Sequence, residues 1–403
     1  MQPLAGIRIA DFSHVMAGPF ASHLLRLLGA EVIKIEQPGM GDPMRNYGAD
    51  RRFDGMAPAF IGVNAGKKSI VLDLKDAAQL EVARRIVARS DVLLENFRPG
   101  VMARLGLGYD AARVLNPDIV YCSVSGYGQS GPLRDWAAID NIVQATSGMM
   151  RLGGSADDPP LRVGFPVVDT LTGQTAAFAI LAALLRRQRS GGGEYIDVAM
   201  FDASLAFMTS AVVPFLVTGK TLEKTGNVGY SGQPTSALYT AGDGEVLSLG
   251  VVQQHQFVLL AKVLGRSDWL DEPRFADPES RRRNSLAMQE QLAAVFAAAP
   301  AAEWEQQLSR AGIPCGVVRD VGAAASMPHL SERNAILPLH IPGLPEREDV
   351  HIVNAGFRMG TDGPQVDAAP PRLGQNTQEI LQWLGYTQDE IAALMPDTAN
   401  TSD

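Results

Sequence analysis

"GIRIADFSHVMAGPFASHLLRLLGAEVIKIEQP", Gly6 to Pro38, decides the fold. "GIRIADFS" is an apolar run ending in turn residues, the pattern of a buried strand. "PFASHLLRLLGA" repeats its apolar residues at helical spacing and ends at Gly29, a residue suited to the left-handed backbone past a helix. "EVIKIEQP" is a second strand, stopped by Pro38. Strand, helix and strand in that order predict a right-handed βαβ unit and a parallel sheet. The alternation continues through "KSIVLDL", the helix "KDAAQLEVARRIVARS", and the strands "DVLLEN" and "DIVYCSVSGYG". In such sheets ligands bind in loops beyond the carboxyl ends of the strands. Here those loops are "SHVMAGP", "DLK", "ENFRPG" and "SGYGQSGP".

Further along, "GQTAAFAILAALLRRQRSGGG" reads as a long apolar helix, basic at its C-terminal end and stopped by glycines. "YIDVAMFDASLAFMTSAVVPFLVTG" reads as a strand turning into another helix. After Gly219 the texture changes to an exposed linker, a glycine-bearing loop and a hairpin around "GDGE". The fold class expected is α/β, with a Rossmann-like parallel-sheet large domain and a smaller α+β domain. The boundaries expected are 1–200 for the N-terminal part of the large domain and 201–224 for a linker helix. The small domain with its glycine loop takes 225–325, and 326–403 is a linker that returns to the large domain.

Composition narrows the function classes. A chain of 403 residues suggests two to three domains. No run of about 18 uninterrupted apolar residues occurs, so no membrane span is expected. The first residues lack the basic segment of a signal peptide, and a cytoplasmic location is expected. Cys122 and Cys315 are far apart and read as reduced thiols. A net charge of −9 speaks against a nucleic-acid partner. The six histidines form no metal-ligand spacing, so no metal is expected. The glycine patterns of nucleotide and dinucleotide loops are absent, as is G-x-S-x-G.

Candidate chemistry gathers at a few residues. "GFPVVDTLTGQ", Gly164 to Gln174, puts one acid, Asp169, in an uncharged run before the long helix. It reads as a helix cap or as a nucleophile, and spacing alone favours the cap. The two roles are compatible, because a helix N-terminus favours the ionised form that a nucleophile needs. Lys75, Arg98 and Arg104 stand near strand ends with Asn96 and form a candidate phosphate site. His14 follows the first strand, where a lone histidine is more often structural. "GNVGYSGQP" reads equally as a flexible surface loop or as a mobile lid.

Taken together, these blocks resemble the class III coenzyme A transferases, the family of formyl-CoA transferase and carnitine CoA-transferase. "DFSHVMAGPFASHLLRLLGAEVIKIEQPGMGD", "KSIVLDLK", "DVLLENFRPGVMARLGL", "VSGYGQSGP", "GFPVVDTLTG" and "GGGEYIDVAMFDA" carry the likeness, in order and over nearly the whole chain. The resemblance implies covalent catalysis by Asp169 through an aspartyl anhydride and an aspartyl-CoA thioester. It implies Val15, Met16 and Ala17 near the reacting sulfur, and Leu72 through Lys75 with Asn96, Phe97 and Arg98 at the nucleotide end. Arg104 falls near the phosphates, and Trp136, Ala137 and Ile139 along the pantetheine channel. Gly229, Tyr230, Ser231, Gly232 and Gln233 become the lid. An interlocked homodimer is implied, with no permanently bound cofactor and a CoA thioester as substrate.

The likeness is uneven. Formyl-CoA transferase has glutamine where Met16 stands, and its catalytic tyrosine–glutamate pair aligns with Ile139 and Asp140. These departures point away from formyl-CoA and oxalate, toward succinyl-CoA and a C4–C5 dicarboxylate such as mesaconate, itaconate or citramalate. His14, Arg45, Asp140 and Arg162 are candidate contacts for the substrate carboxylates, with Arg51, Arg52 and Arg151 behind them. The rival readings are an α-methylacyl-CoA racemase, whose histidine aligns with Ile139, a non-catalytic CoA-binding protein, and a hydrolase.

Overall fold

The computed structural model describes residues 1–48, 56–229, 231–342 and 350–394. The opening stretch forms β1 (Arg8–Asp11), α1 (Ala17–Leu27) and β2 (Glu31–Glu36). The two strands pair in parallel from Arg8↔Glu31 to Asp11↔Lys34. The alternation then runs through α2 (Pro58–Asn64), β3 (Lys68–Val71), α3 (Ala77–Ala88) and β4 (Val92–Glu95). It continues with α4 (Val101–Arg104), α5 (Tyr109–Leu115), β5 (Val120–Ser125), α6 (Asp140–Thr146), α7 (Val167–Ser190) and β6 (Glu194–Ala199).

The six strands lie in the order β3-β2-β1-β4-β5-β6, and every pairing is parallel. Successive residues of a strand point to opposite faces, so each strand feeds two cores. Ile33, Leu93 and Tyr121 pack under α3 residues Val82 and Ile86. Their neighbours Val32, Leu94 and Val120 pack with Leu25 of α1 and Ile180 of α7. The order reverses between β1 and β4, the topological switch point at which such sheets bind ligands beyond the carboxyl ends of their strands.

By length and composition α7 could cross a bilayer, although charges interrupt its apolar run. Half of its most apolar window is buried within the molecule, where it packs against α1 and β5. Gly173 makes that packing possible: a Cβ there would stand 2.6 Å from the Ala17 carbonyl oxygen.

The described chain forms two compact units. The first is Met1–Ser147, Arg162–Val213 and Pro328–Asp403. It includes the antiparallel pair β10 (Ile336–Leu339) and β11 (Val350–Val353), and the helix Thr377–Trp383, whose Ile380 and Leu381 enter the sheet core. The second is Pro214–Met327 together with Gly148–Leu161. The latter stretch carries no periodicity by which a sequence pattern could assign it. This unit holds the antiparallel sheet β7 (Leu238–Thr240), β8 (Val246–Leu249) and β9 (Cys315–Val317) over Phe257, Trp269, Phe275 and Phe296.

Candidate active site

The crevice at the strand reversal is built by two loops that hold each other. The His14 backbone N–H donates to Asn96 Oδ1 at 2.9 Å, and Asn96 Nδ2 donates to the His14 carbonyl at 2.8 Å. Between them Val15 takes φ 66°, a strained conformation for a β-branched residue. Asp42 holds it there, accepting from Val15 N at 3.0 Å and from Met44 N at 2.9 Å. Asp42 is in turn paired with fully buried Lys34 at 2.9 Å, and Lys34 also donates to the Ser13 carbonyl at 2.7 Å. Asp11 accepts from Ser13 N, from the Ser22 hydroxyl at 2.6 Å and from Lys67 at 3.2 Å. Buried charges persist when paired and hydrogen-bonded, and here that requirement clamps the loop after β1.

Above this loop lies a cavity of about 640 Å³, a size suited to a small organic ligand. His14, Val15, Met16 and Ala17 line one side, and Asn96, Phe97 and Arg98 another. Arg134, Trp136, Ala137, Ile139 and Asp140 come from the segment leading into α6, and Arg162 through Pro166 close toward Asp169. Gly126 lets that segment close in, since a Cβ there would lie 2.2 Å from the Ala138 Cβ.

Asp169 is the third residue of α7 and is half-buried. It does not cap the helix. The cap position is Pro166, and the acceptor for the first turn is Asp140, whose Oδ2 takes Val168 N at 2.7 Å and Asp169 N at 3.1 Å. The Asp169 carboxyl is thus free of capping duty. Burial first, and the Asp140 charge second, push its pKa up to about 7. The expectation that a helix N-terminus keeps this group ionised is corrected accordingly: burial and the Asp140 charge outweigh the helix terminus and favour its protonated form. No cation among the described residues pairs with it. Gln144, buried at 1 % exposure, donates to Asp140 Oδ1 at 2.6 Å and accepts from Val163 N at 2.9 Å.

Chemically, a basic carboxylate at the mouth of a helix is a candidate nucleophile or base. Among the described residues, no carboxylate pairs with Arg98, Arg134 or Arg162, so the walls favour an anionic ligand. Ile139 is 64 % exposed in the same wall and has no proton to give.

Comparison with known proteins decides the class. Residues 4–377 match the sequence pattern of CoA-transferase family III. The chain belongs to that family. It is 34 % identical, over 98 % of its own length and 97 % of the relative's, to a succinyl-CoA–D-citramalate CoA-transferase of Chloroflexus aurantiacus. It is 39 % identical to an acetyl-CoA:oxalate CoA-transferase of Acetobacter aceti, over 93 % of each chain. A mouse succinyl-CoA:glutarate CoA-transferase is 35 % identical over 98 % of this chain and 89 % of that one. A solved structure of a CAIB/BAIF family protein from Brucella suis superposes with a TM-score of 0.84 at 29 % identity, covering 95 % of this chain and 99 % of that one.

This family III CoA-transferase places its other expected site residues unevenly. Leu72 is in the sheet core, and exposed Lys75 and Arg104 stand outside the cavity lining. Arg104 and Arg134 both reach toward Gly100: a guanidinium nitrogen of each lies 3.2 and 3.8 Å from the point where a Gly100 Cβ would stand. Arg45 is not a ligand contact. Its side chain is buried on Glu36, Nη2 to Oε1 at 2.7 Å and Nε to Oε2 at 2.8 Å, and donates to the Pro371 carbonyl. His14 is not a cation either, because burial holds it below its ordinary pKa against the opposing pull of Asp42. Gly229, Ser231, Gly232, Gln233 and Arg151 belong to the second unit, where Gln233 is anchored by its amide on the Pro278 carbonyl. Tyr230, Arg51 and Arg52 lie outside the described residues. Arg134, Asp42, Lys34 and Gln144 escape sequence reasoning. Only Gln144 leaves a signal, four residues after Asp140 and so on the same helix face.

Proposed function

We propose that this CoA-transferase works through covalent catalysis at Asp169 and moves CoA from an acyl-CoA such as succinyl-CoA to a dicarboxylic acid. The observation that carries the reading is the Asp169 carboxyl itself: without a cation partner among the described residues, half-buried in a cavity of suitable size, and raised in basicity by burial and by Asp140.

An Asp169 oxygen attacks the thioester carbonyl, the carbon–sulfur bond breaks, and CoA leaves as thiolate from a mixed anhydride. The thiolate attacks the aspartyl carbonyl and releases the donor acid, leaving an aspartyl-CoA thioester. The acceptor carboxylate attacks that thioester, and the returning thiolate takes the acceptor acyl group and frees Asp169. A more basic carboxylate is the better nucleophile in the first step. Arg98, Arg104 and Arg134 supply cationic charge for the phosphates of CoA. Trp136, 62 % exposed, and Ile139 supply apolar wall for the pantetheine arm.

The relatives named above act on citramalate, oxalate and glutarate, all dicarboxylates. Arg162, exposed in the wall next to Asp169, is the guanidinium suited to the acceptor's second carboxylate. We favour a C4–C5 acceptor, in keeping with mesaconate, itaconate and citramalate. Oxalate is the second reading, because the 39 % identical relative is named for it. A homodimer belongs to the same proposal, since Phe178, Phe207, Leu216 and Val217 are each more than 60 % exposed.

The test incubates the enzyme with succinyl-CoA, traps with hydroxylamine or borohydride, and locates the modified residue by mass spectrometry. Modification at Asp169 and loss of transfer in Asp169→Ala are expected; modification elsewhere ends the mechanism. A panel of mesaconate, itaconate, citramalate, glutarate, oxalate and carnitine as acceptors tests the substrate class. Turnover with oxalate or carnitine alone overturns the C4–C5 reading.

A further inference from the structure

We propose that Gln144 is a positioning residue for the nucleophile: its amide holds the Asp140 carboxylate on the first turn of α7 and so fixes where the Asp169 carboxyl stands. The inference rests on reading Asp169 as the nucleophile. The chain of hydrogen bonds is continuous. Val163 N–H donates to Gln144 Oε1 at 2.9 Å, Gln144 Nε2 donates to Asp140 Oδ1 at 2.6 Å, and Asp140 Oδ2 takes the backbone N–H groups of Val168 and Asp169. Only one orientation of the amide fits, since the reverse would set its oxygen against a carboxylate and its NH₂ against an N–H.

Neither end has a substitute. Among the described residues Asp140 Oδ1 accepts from no other donor, and Val163 N donates to no other acceptor. Asp140 is the first residue of a helix of seven, and its own side chain is the free end that has to be held. Gln144 is buried one turn further on and supplies that hold. The same amide ties down the wall segment from Arg162 to Pro166. A ligand that moves this wall therefore moves the acid that orients the nucleophile. The charged and titratable groups sharing the cavity with Asp169 are His14, Tyr47, Arg98, Arg134, Asp140 and Arg162. Of these, Asp140 is the one hydrogen-bonded to the backbone of Asp169.

Two variants separate positioning from mere packing. Gln144→Leu keeps the bulk and removes both hydrogen bonds. Transfer turnover is expected to fall about 10- to 100-fold with little change in KM for the acyl-CoA, the pattern of a misplaced reacting group. The acid limb of its pH profile is expected at lower pH, because the Asp140 charge is no longer held beside Asp169. Gln144→Glu is the conservative rescue. Protonated, it donates to Asp140 and accepts from Val163 as glutamine does; ionised, it repels Asp140. Its activity relative to the parent is therefore expected to approach one at low pH and to fall as pH rises. A readout free of substrate runs beside these: carbodiimide modifies protonated carboxyls, so the pH at which Asp169 labelling fades, read by mass spectrometry, is expected to drop in Gln144→Leu. An unchanged acid limb and labelling profile, with any lost activity tracking lost folded protein, overturns the inference. An Asp169→Ala control that retains transfer removes the reading beneath it, whereas an inactive Asp169→Ala beside an unaffected Gln144→Leu removes this inference alone.

Discussion

Asp169 and Asp140 divide two tasks that one acid before an apolar helix could have combined. Asp140 satisfies the backbone of the first turn, and in the proposed mechanism Asp169 keeps its carboxyl for chemistry. Burial, with the Asp140 charge adding to it, raises the Asp169 pKa from 3.8 to about 7, so between those values the folded protein binds a proton that the unfolded chain has released. Stability therefore falls as pH rises through that window, and the full cost is present above about pH 7. Asp169→Ala is expected to melt at a higher temperature than the parent above pH 7, by a free energy on the order of 2 kcal/mol, with the gap closing toward pH 4. Thermal scans across pH check this. In the parent, kcat/KM is expected to rise with pH to about 7 and then level off, following ionisation of Asp169. Asp140→Asn and Asp140→Ala part the two effects of Asp140. Both remove the charge and are expected to move that acid limb to lower pH. Only the alanine also leaves two helix N–H groups without an acceptor, at about 1–2 kcal/mol in a denaturant titration.

At the scale of elements, α1 and α7 bring their N-terminal ends to one cavity because they cross closely at Gly173, one turn beyond Asp169. A methyl group there meets backbone rather than a movable side chain. Gly173→Ala is expected to cost about 1–3 kcal/mol by overpacking, and to lower transfer activity more than its melting temperature alone explains, because Ala17 and Asp169 separate. The helices and parallel strands themselves were legible in the apolar periodicity of "GIRIADFS", "PFASHLLRLLGA" and "EVIKIEQP". The start of α7 was less so. It begins two residues before Asp169, since its cap arrives from a side chain 29 positions earlier, which no local pattern records.

For the whole molecule, the sheet order places the loops after β1 and β4 side by side, and buried ion pairs beneath them set the floor of the site. Phe178, Phe207, Leu216 and Val217 are each more than 60 % exposed, and the proposed homodimer would cover them. Light scattering is expected to give twice the 43.1 kDa chain mass. A mass equal to the single chain at micromolar concentration would refute the homodimer.

By itself the sequence determined the alternating α/β plan, most of the strand-end loops that line the cavity and the acid worth testing, because these depend on local periodicity, on turn residues and on an isolated charge. Tertiary structure alone decided who caps α7, how basic Asp169 is, that Arg45 serves Glu36 rather than a substrate, and that Arg134 and Arg104 both reach toward Gly100. Those outcomes depend on which side chains meet across the chain and on how much water remains between them. Hydrogen bonding and charge interaction change steeply with both.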